Sequence, residues 1–147
     1  DINPDRAKLA DTLGIDFAEP GQAKGDCDIV VHASGSPDGL RTALELGGDE
    51  ATVLEMSWYG DTAVTAMLGG AFHSRRLRLV SSQVGRVAPS HRPRWTYARR
   101  LAAAVALLSD PRLDALLAPG VTFGELPDRL PHILDAGSGI LCQPVVY

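Results

Sequence analysis

Residues 27–56 read CDIVVHASGSPDGLRTALELGGDEATVLEM, and this stretch decides the fold. Residues 27–33 form a short apolar run rich in β-branched side chains, and residues 51–56 form a second one. Both runs predict strands that are buried on both faces. Residues 37–46 between them predict a helix that Gly47 and Gly48 end. A strand, a helix and a strand with short connections are typical of a parallel sheet in an α/β fold.

The rest of the chain adds further elements on either side of this unit. Residues 77–82 (LRLVSS) predict a third strand, after which residues 86–94 are rich in proline and arginine. Residues 95–108 predict a long Ala/Leu helix, and residues 126–134 predict a short helix that contains Pro131. Residues 141–147 predict a closing strand, which Pro144 places at a sheet edge.

The first residues predict a helix that follows an earlier element. Asn3 is the expected N-cap, Pro4 the first helical residue and Gly14 the residue that ends the helix. A helix seldom opens a domain with nothing before it to pack on. We therefore expect Asp1 to end a strand that lies upstream in a longer protein.

Composition limits the possible functions. The chain has 147 residues with 14 basic and 18 acidic side chains, so its net charge is −4. An acidic chain of this length is expected to form one domain and lacks the basic surface of a nucleic-acid-binding protein. Its longest apolar run, residues 101–108, is far shorter than the ~20 residues of a membrane span. Two distant cysteines, Cys27 and Cys142, favour a reducing, cytoplasmic setting.

Candidate groups for catalysis or metal binding are few. Ser34 and Ser57 follow predicted strands, and His32 and His73 could act as bases, but the chain has no G-x-S-x-G motif. We interpret these residues as turn hydroxyls and ordinary histidines, and His32 as a buried residue with satisfied hydrogen bonds. The four histidines lack the spacing of metal ligands, so no zinc site is expected within the chain.

Six arginines surround the third predicted strand and precede an aromatic pair, Trp95 and Tyr97; they are Arg75, Arg76, Arg78, Arg86, Arg92 and Arg94. Such a cluster could contact nucleic acid or mediate an interaction. The acidic balance of the chain favours a solvated or subunit-contacting surface instead.

Small and polar residues follow each predicted strand, and they indicate a nucleotide site. They are Ser34-Gly35-Ser36, Ser57-Trp58 and Ser82-Gln83, with Asp1 as a fourth position if it ends a strand. A doubly wound sheet binds its ligand outside the carboxyl ends of its strands. A carboxylate there can accept the hydroxyl protons of an adenosine ribose and repels a 2′-phosphate. The pattern alone leaves open that these are ordinary loop residues.

Several segments resemble, in order along the chain, the medium-chain, zinc-type alcohol dehydrogenases. These are residues 1–14 (DINPDRAKLADTLG), 28–37 (DIVVHASGSP), 51–60 (ATVLEMSWYG), 123–127 (FGELP) and the final strand. The SWYG and SSQVG stretches most resemble a branch that contains bacteriochlorophyllide-type dehydrogenases. In this family the glycine-rich phosphate turn, the zinc ligands and the proton relay lie in segments outside this chain.

The resemblance implies a partial doubly wound, Rossmann-like parallel sheet that lacks its first two strands. Residues 1–85 would form a partial dinucleotide-binding domain, and residues 86–147 would be a C-terminal helical segment that packs on a catalytic domain. As part of a longer enzyme, the chain would hold NAD, with NADP as the alternative, for hydride transfer to or from an alcohol or carbonyl substrate. Zinc could belong to that longer enzyme. The fragment alone would be inactive, and no catalytic residue is assigned.

The resemblance also implies a role for each site residue. Asp1 would bind the adenosine ribose with support from Arg6, and Ser34, Gly35 and Ser36 would line the adenosine and pyrophosphate side. Met56, Ser57 and Trp58 would flank the nicotinamide, with Ser82 and Gln83 near its carboxamide. A homodimer would form through the edge strand between Leu77 and Ser82. The second hypothesis is a non-catalytic nucleotide-binding or regulatory module.

Overall fold

The computed structural model describes the backbone of all 147 residues and every side chain except that of Ala136. It is an α/β protein with parallel strands. Its helices are α1 (Arg6–Leu13), α2 (Pro37–Leu46), α3 (Ala71–Ser74), α4 (Tyr97–Leu107) and α5 (Leu126–Ile133), with short 3-10 helices at Pro20–Gln22, Pro111–Leu116 and Ala136–Ser138. Its strands are β1 (Cys27–His32), β2 (Gly47–Glu55), β3 (Arg78–Ser81), β4 (Val121–Thr122) and β5 (Val145–Val146). Contacts divide the chain into two compact units, residues 1–2 with 18–95 and residues 3–17 with 96–147.

The first unit contains the parallel sheet that the sequence predicts. The strand order is β1-β2-β3, with Val30 beside Val53 and Val53 beside Leu79. Helix α2 connects β1 to β2 and packs on one face of the sheet through an apolar stripe. The buried core consists of Leu40, Ala43, Leu44, Ala51, Val53 and Leu77.

The opposite face of this sheet is open, which corrects the prediction that β1 and β2 are buried on both faces. Ile29 and Val31 are 67% and 56% exposed, whereas Val53 is completely buried. Side chains alternate between the faces of a strand, and α2 covers only the face that carries Val30 and His32. The run of apolar residues in β1 therefore includes positions that no other described residue covers.

Gly47 and Gly48 begin β2 directly after α2, so they do more than end the helix as predicted. A Cβ on Gly48 would lie 2.6 Å from Oδ1 of Asp26, which explains why a residue without a side chain occupies this position. The Arg75 guanidinium donates hydrogen bonds to the carbonyls of Gly47, at 2.6 Å, and Glu45, at 3.1 Å. It secures the connection between helix and strand.

The other arginines near β3 also have structural partners. Arg76 forms an ion pair with Glu50 at 2.6 Å, and Arg78 donates to the Glu50 carbonyl at 3.2 Å. These contacts hold the backbone at Glu50, whose φ angle of 61° is unusual for a residue with a side chain. Arg75, Arg76 and Arg78 of the arginine cluster therefore have partners within the fold.

The second unit contains α1, α4, α5 and the small parallel pair β4 and β5. Helix α1 spans Arg6–Leu13, and the Asp5 side chain at its N-cap position makes no capping hydrogen bond. The Asn3 side chain accepts a hydrogen bond from the Asp5 N–H at 3.0 Å, the bond that its predicted N-cap role requires, although the helix itself begins at Arg6. Gly14 ends α1 in the left-handed conformation, as predicted.

Helix α4 follows the prediction for residues 95–108 closely, and the Thr96 side chain caps it by accepting from the Arg99 N–H at 3.1 Å. Its apolar residues Leu101, Val105 and Leu107 are all more than half exposed. The closing strand β5 contains only two residues and follows Pro144. Since proline cannot donate to a sheet, it limits how far this strand extends.

Candidate functional site

The loops after β1, β2 and β3 are joined by hydrogen bonds at the carboxyl ends of the strands. The Gly35 N–H donates to the Ser57 hydroxyl at 3.0 Å and links the first two loops. The Met56 N–H donates to the His32 carbonyl, and the Ser82 N–H donates to the Glu55 carbonyl, both at 2.8 Å. The serines that the sequence predicts at three strand ends thus lie along one edge of the sheet.

His32 is at the centre of this edge and is 4% exposed. Its Nδ1 lies 2.7 Å from Oε2 of Glu55, and its Nε2 lies 2.7 Å from the Ser34 hydroxyl oxygen. The Ser57 and Tyr59 hydroxyls lie 3.4 and 3.5 Å from Nδ1. The prediction that His32 is a buried histidine with satisfied hydrogen bonds is confirmed.

Glu55 is the acidic member of this network. Its Oε1 accepts from the Ser57 N–H at 2.7 Å, and its Oε2 accepts from the Tyr59 hydroxyl at 3.3 Å as well as from His32. Burial raises the pKa of Glu55, but the hydrogen bonds from His32 and Ser57 outweigh it, so the pKa lies below its ordinary value of 4.5. The side chain is therefore an ionised carboxylate at neutral pH.

Tyr59 completes the network from the loop after β2. Burial and the negative charge of Glu55 raise the pKa of Tyr59, so its hydroxyl keeps its proton and acts as a donor. The sequence reasoning did not identify Glu55 or Tyr59. The available signal was a glutamate within the otherwise apolar run of residues 51–56, next to Ser57 and close to a histidine in the neighbouring strand.

A cavity of about 590 Å³ lies beside β1 and the start of α2, within the first unit. Its polar and charged lining residues are Asp1, His32, Ser34, Ser36, Asp38, Arg41 and Thr42. Alanines, valines and Gly39 form much of the remaining wall. The amino group of Asp1 donates to the Ala18 carbonyl at 3.0 Å, which places residue 1 against the same wall. Asp1, Ser34 and Ser36 of the predicted site therefore share one cavity.

The other predicted site residues have different surroundings. Met56 and Trp58 follow β2, and Trp58 is 90% exposed. Gln83 accepts from the Arg86 N–H through its carbonyl and forms a turn after β3. Arg6 belongs to the second unit, where its guanidinium donates to the Gly139 carbonyl at 3.1 Å.

Gly39 lies where α2 passes closest to the histidine network. A Cβ at this position would be 2.7 Å from His32 Nε2 and closer still to the Ser34 hydroxyl oxygen. Only glycine lets the helix approach the pair this closely without moving them. The glycine therefore allows α2 to pack directly against the Ser34 side of the network.

The described residues contain no group of histidine, cysteine, aspartate and glutamate side chains able to hold a metal ion. Of the helices that the structure describes, none has the length and apolar character needed to cross a membrane.

No family model and no curated protein sequence matches the chain. Solved structures do match. A proposed zinc-binding dehydrogenase from Sinorhizobium meliloti 1021, bound to NADP, has a TM-score of 0.70 and 19% identity, with 100% of this chain and 44% of that one covered. An alcohol dehydrogenase from Escherichia coli CFT073 in complex with NADH, described as short chain, has a TM-score of 0.67 and 17% identity. The match covers 99% of this chain and 42% of that one.

L-idonate 5-dehydrogenase from Escherichia coli K-12 is similar as well, with a TM-score of 0.66 and 19% identity. The match covers 95% of this chain and 40% of that one. The chain has the fold of part of a zinc-type, medium-chain alcohol dehydrogenase. This confirms the partial doubly wound sheet that the resemblance implies. The chain spans less than half the length of the dehydrogenases it matches, and the bacteriochlorophyllide-type branch stays a prediction.

Proposed function

We propose that the chain is the coenzyme-binding portion of an NAD(P)-dependent oxidoreductase. The observation that carries this proposal is the cavity at the carboxyl end of β1, which Asp1, Ser34 and Ser36 line together. Doubly wound sheets bind nucleotides at this edge. Structures with the same fold contain NADH or NADP, which supports the assignment.

The cavity suits the adenosine half of a dinucleotide in size and chemistry. Its volume of about 590 Å³ lies within the range of small-molecule sites, and its wall combines apolar residues with a few polar groups. The small residues Ser34, Gly35 and Ser36 allow a ligand to approach the backbone. The Asp1 carboxylate would accept hydrogen bonds from the ribose hydroxyls and favour NAD over NADP.

The loops after β2 and β3 would hold the nicotinamide half. Met56, Ser57 and Trp58 would flank the ring, and Ser82 and Gln83 would lie near its carboxamide. The coenzyme supplies the hydride chemistry, and these residues supply binding and orientation. In a longer protein, hydride would pass between the nicotinamide and an alcohol or carbonyl substrate, while residues 86–147 would pack on the catalytic domain.

A homodimer is part of the proposal. Strand β3 forms one edge of the sheet, and all its residues, Arg78–Ser81, are exposed. Pairing of two such edges across a twofold axis would continue the sheet between subunits. Zinc, if the longer enzyme uses it, would require ligands from other parts of that protein, and we place that protein in the cytoplasm.

Titration of the chain with NADH tests the coenzyme assignment. We expect saturable heat release in calorimetry and quenching of Trp58 fluorescence. A Trp58→Phe variant should retain the calorimetric signal and lose most of the quenching. Absence of heat release with NADH would contradict the proposal. Equal affinities for NADH and ADP, with unchanged Trp58 emission, would favour a nucleotide-binding module without a nicotinamide site.

A further inference from the structure

The His32 network contains a hydroxyl, an imidazole and a carboxylate in series. The Ser34 hydroxyl oxygen lies 2.7 Å from Nε2 of His32, and the opposite ring nitrogen lies 2.7 Å from Oε2 of Glu55. These distances and this order of groups correspond to an activated serine nucleophile, in which the carboxylate orients the imidazole and the imidazole takes the serine proton. Coenzyme binding does not require this arrangement.

The protonation states follow from the hydrogen bonds. Glu55 accepts from the Ser57 N–H and from the Tyr59 hydroxyl, so it is a carboxylate with several donors around it. Because Oε2 of Glu55 accepts the hydrogen bond from the His32 ring, the imidazole proton lies on Nδ1. The lone pair of Nε2 then faces the Ser34 hydroxyl as a base.

The serine is accessible while the base is not. Ser34 is exposed and lines the cavity beside β1, whereas His32 is buried behind it. The Ser36 N–H lies 3.3 Å from the Ser34 oxygen and donates to it, which helps to fix the position of the hydroxyl. Gly39 lets α2 pack closely on Ser34 without a side-chain clash.

We propose that Ser34, His32 and Glu55 form a nucleophilic site that accepts acyl groups from small activated esters and reacts with organophosphonates. The Ser34 oxygen bonds to the carbonyl carbon as its proton moves to Nε2, and the leaving alkoxide or phenoxide takes that proton when its bond to carbon breaks. Water then attacks the carbonyl carbon of the acyl group on Ser34, and the same steps run in reverse order. Its proton passes to Nε2, the acid departs, and the Ser34 oxygen regains a proton. No oxidant or further reactant is needed.

Covalent labelling of the chain with a fluorophosphonate tests the site directly. The serine oxygen would displace fluoride from phosphorus, so we expect one added phosphonyl group in intact mass and its location on Ser34 in peptide mapping. Ser34→Ala should abolish the label. Ser81→Ala, which removes an exposed serine at the end of β3, should leave it unchanged. An unlabelled wild-type chain, or a label on another residue, would overturn the proposal.

Two further variants separate catalysis from support of the fold. His32→Gln should slow labelling by about 100-fold because the general base is lost. Glu55→Gln should also slow it, because the imidazole loses the carboxylate that orients it. Labelling of Ser34 at the wild-type rate in His32→Gln would refute the role of the relay.

Discussion

His32 and Glu55 occupy directly paired positions in β1 and β2, and their side chains meet at 2.7 Å where both strands end. Parallel pairing brings the two loops that follow to the same edge, and the histidine joins them by bonding Ser34 on one side and Glu55 on the other. The geometry of the candidate site therefore depends on a polar contact, although the strands themselves are held by an apolar core.

Replacement of His32 by alanine should lower the free energy of unfolding by about 2–3 kcal/mol. The substitution leaves the Glu55 carboxylate without a principal donor in a largely buried position, and such a group carries its full desolvation cost. Urea denaturation followed by circular dichroism measures the change. Arg41→Ala is the control, because its ion pair with Asp38 is exposed and should contribute less than about 1 kcal/mol. Equal effects of the two substitutions would contradict the interpretation.

Gly39→Ala should destabilise the chain, although alanine normally favours a helix over glycine by about 1 kcal/mol. The new Cβ would collide with the Ser34 hydroxyl and lie 2.7 Å from His32 Nε2. We expect a loss of about 1–3 kcal/mol, as for other overpacked sites, measured by urea unfolding. Glu45→Ala, at an exposed position of the same helix, should change stability by less than about 0.5 kcal/mol. A stabilising Gly39→Ala would show that α2 can move away without cost.

The pH dependence of stability should reflect Glu55. Its folded pKa lies below 4.5, its ordinary value, so the unfolded state binds the proton more readily. The stability that Glu55 contributes is present above pH 4.5 and decreases as the pH falls below it. In urea unfolding from pH 6 to pH 3, the difference between wild type and Glu55→Gln should therefore diminish. Glu45→Gln is the control for the loss of a negative charge. If the difference in unfolding free energy between wild type and Glu55→Gln stays constant over this pH range, Glu55 does not link stability to pH.

Much of the first unit could be predicted from sequence because its pattern is local. The β-branched run of β1, the proline at the start of α2 and the small residues after each strand all indicate structure within a few residues. Asp1, Ser34 and Ser36 could be grouped for the same reason, since parallel strands expose their carboxyl ends at one edge.

The parts that could not be predicted depend on contacts between distant positions. In the sequence, Glu55 is a single acidic residue within an apolar run. Only the register of β1 and β2 places it opposite His32. The exposure of Ile29 and Val31 likewise depends on which layers pack on the sheet, and a hydrophobic run carries no information about that.

The two faces of the sheet should respond differently to truncation. Leu44, on the side of α2 that packs on the covered face of the sheet, is 2% exposed, so Leu44→Ala should cost about 2–5 kcal/mol through lost burial and a cavity. Ile29 lies on the open face, and Ile29→Ala should cost less than about 1 kcal/mol because little apolar surface is released to water. Thermal unfolding of both variants tests this. A cost for Ile29→Ala as large as that for Leu44→Ala would mean that another molecule or segment covers this face in solution.

Asp1 should set the choice between NAD and NADP if the cavity holds the adenosine ribose. A carboxylate accepts hydrogen bonds from both ribose hydroxyls and repels a 2′-phosphate, so Asp1→Ala should weaken NADH binding by about tenfold and leave NADPH binding unchanged or tighter. Calorimetric titration of both coenzymes measures the ratio. Asp38→Ala removes an equal charge from the same cavity wall, but that carboxylate is paired with Arg41 at 2.9 Å. A shift in coenzyme preference as large in Asp38→Ala as in Asp1→Ala would mean that net charge, and not a ribose contact, determines selectivity.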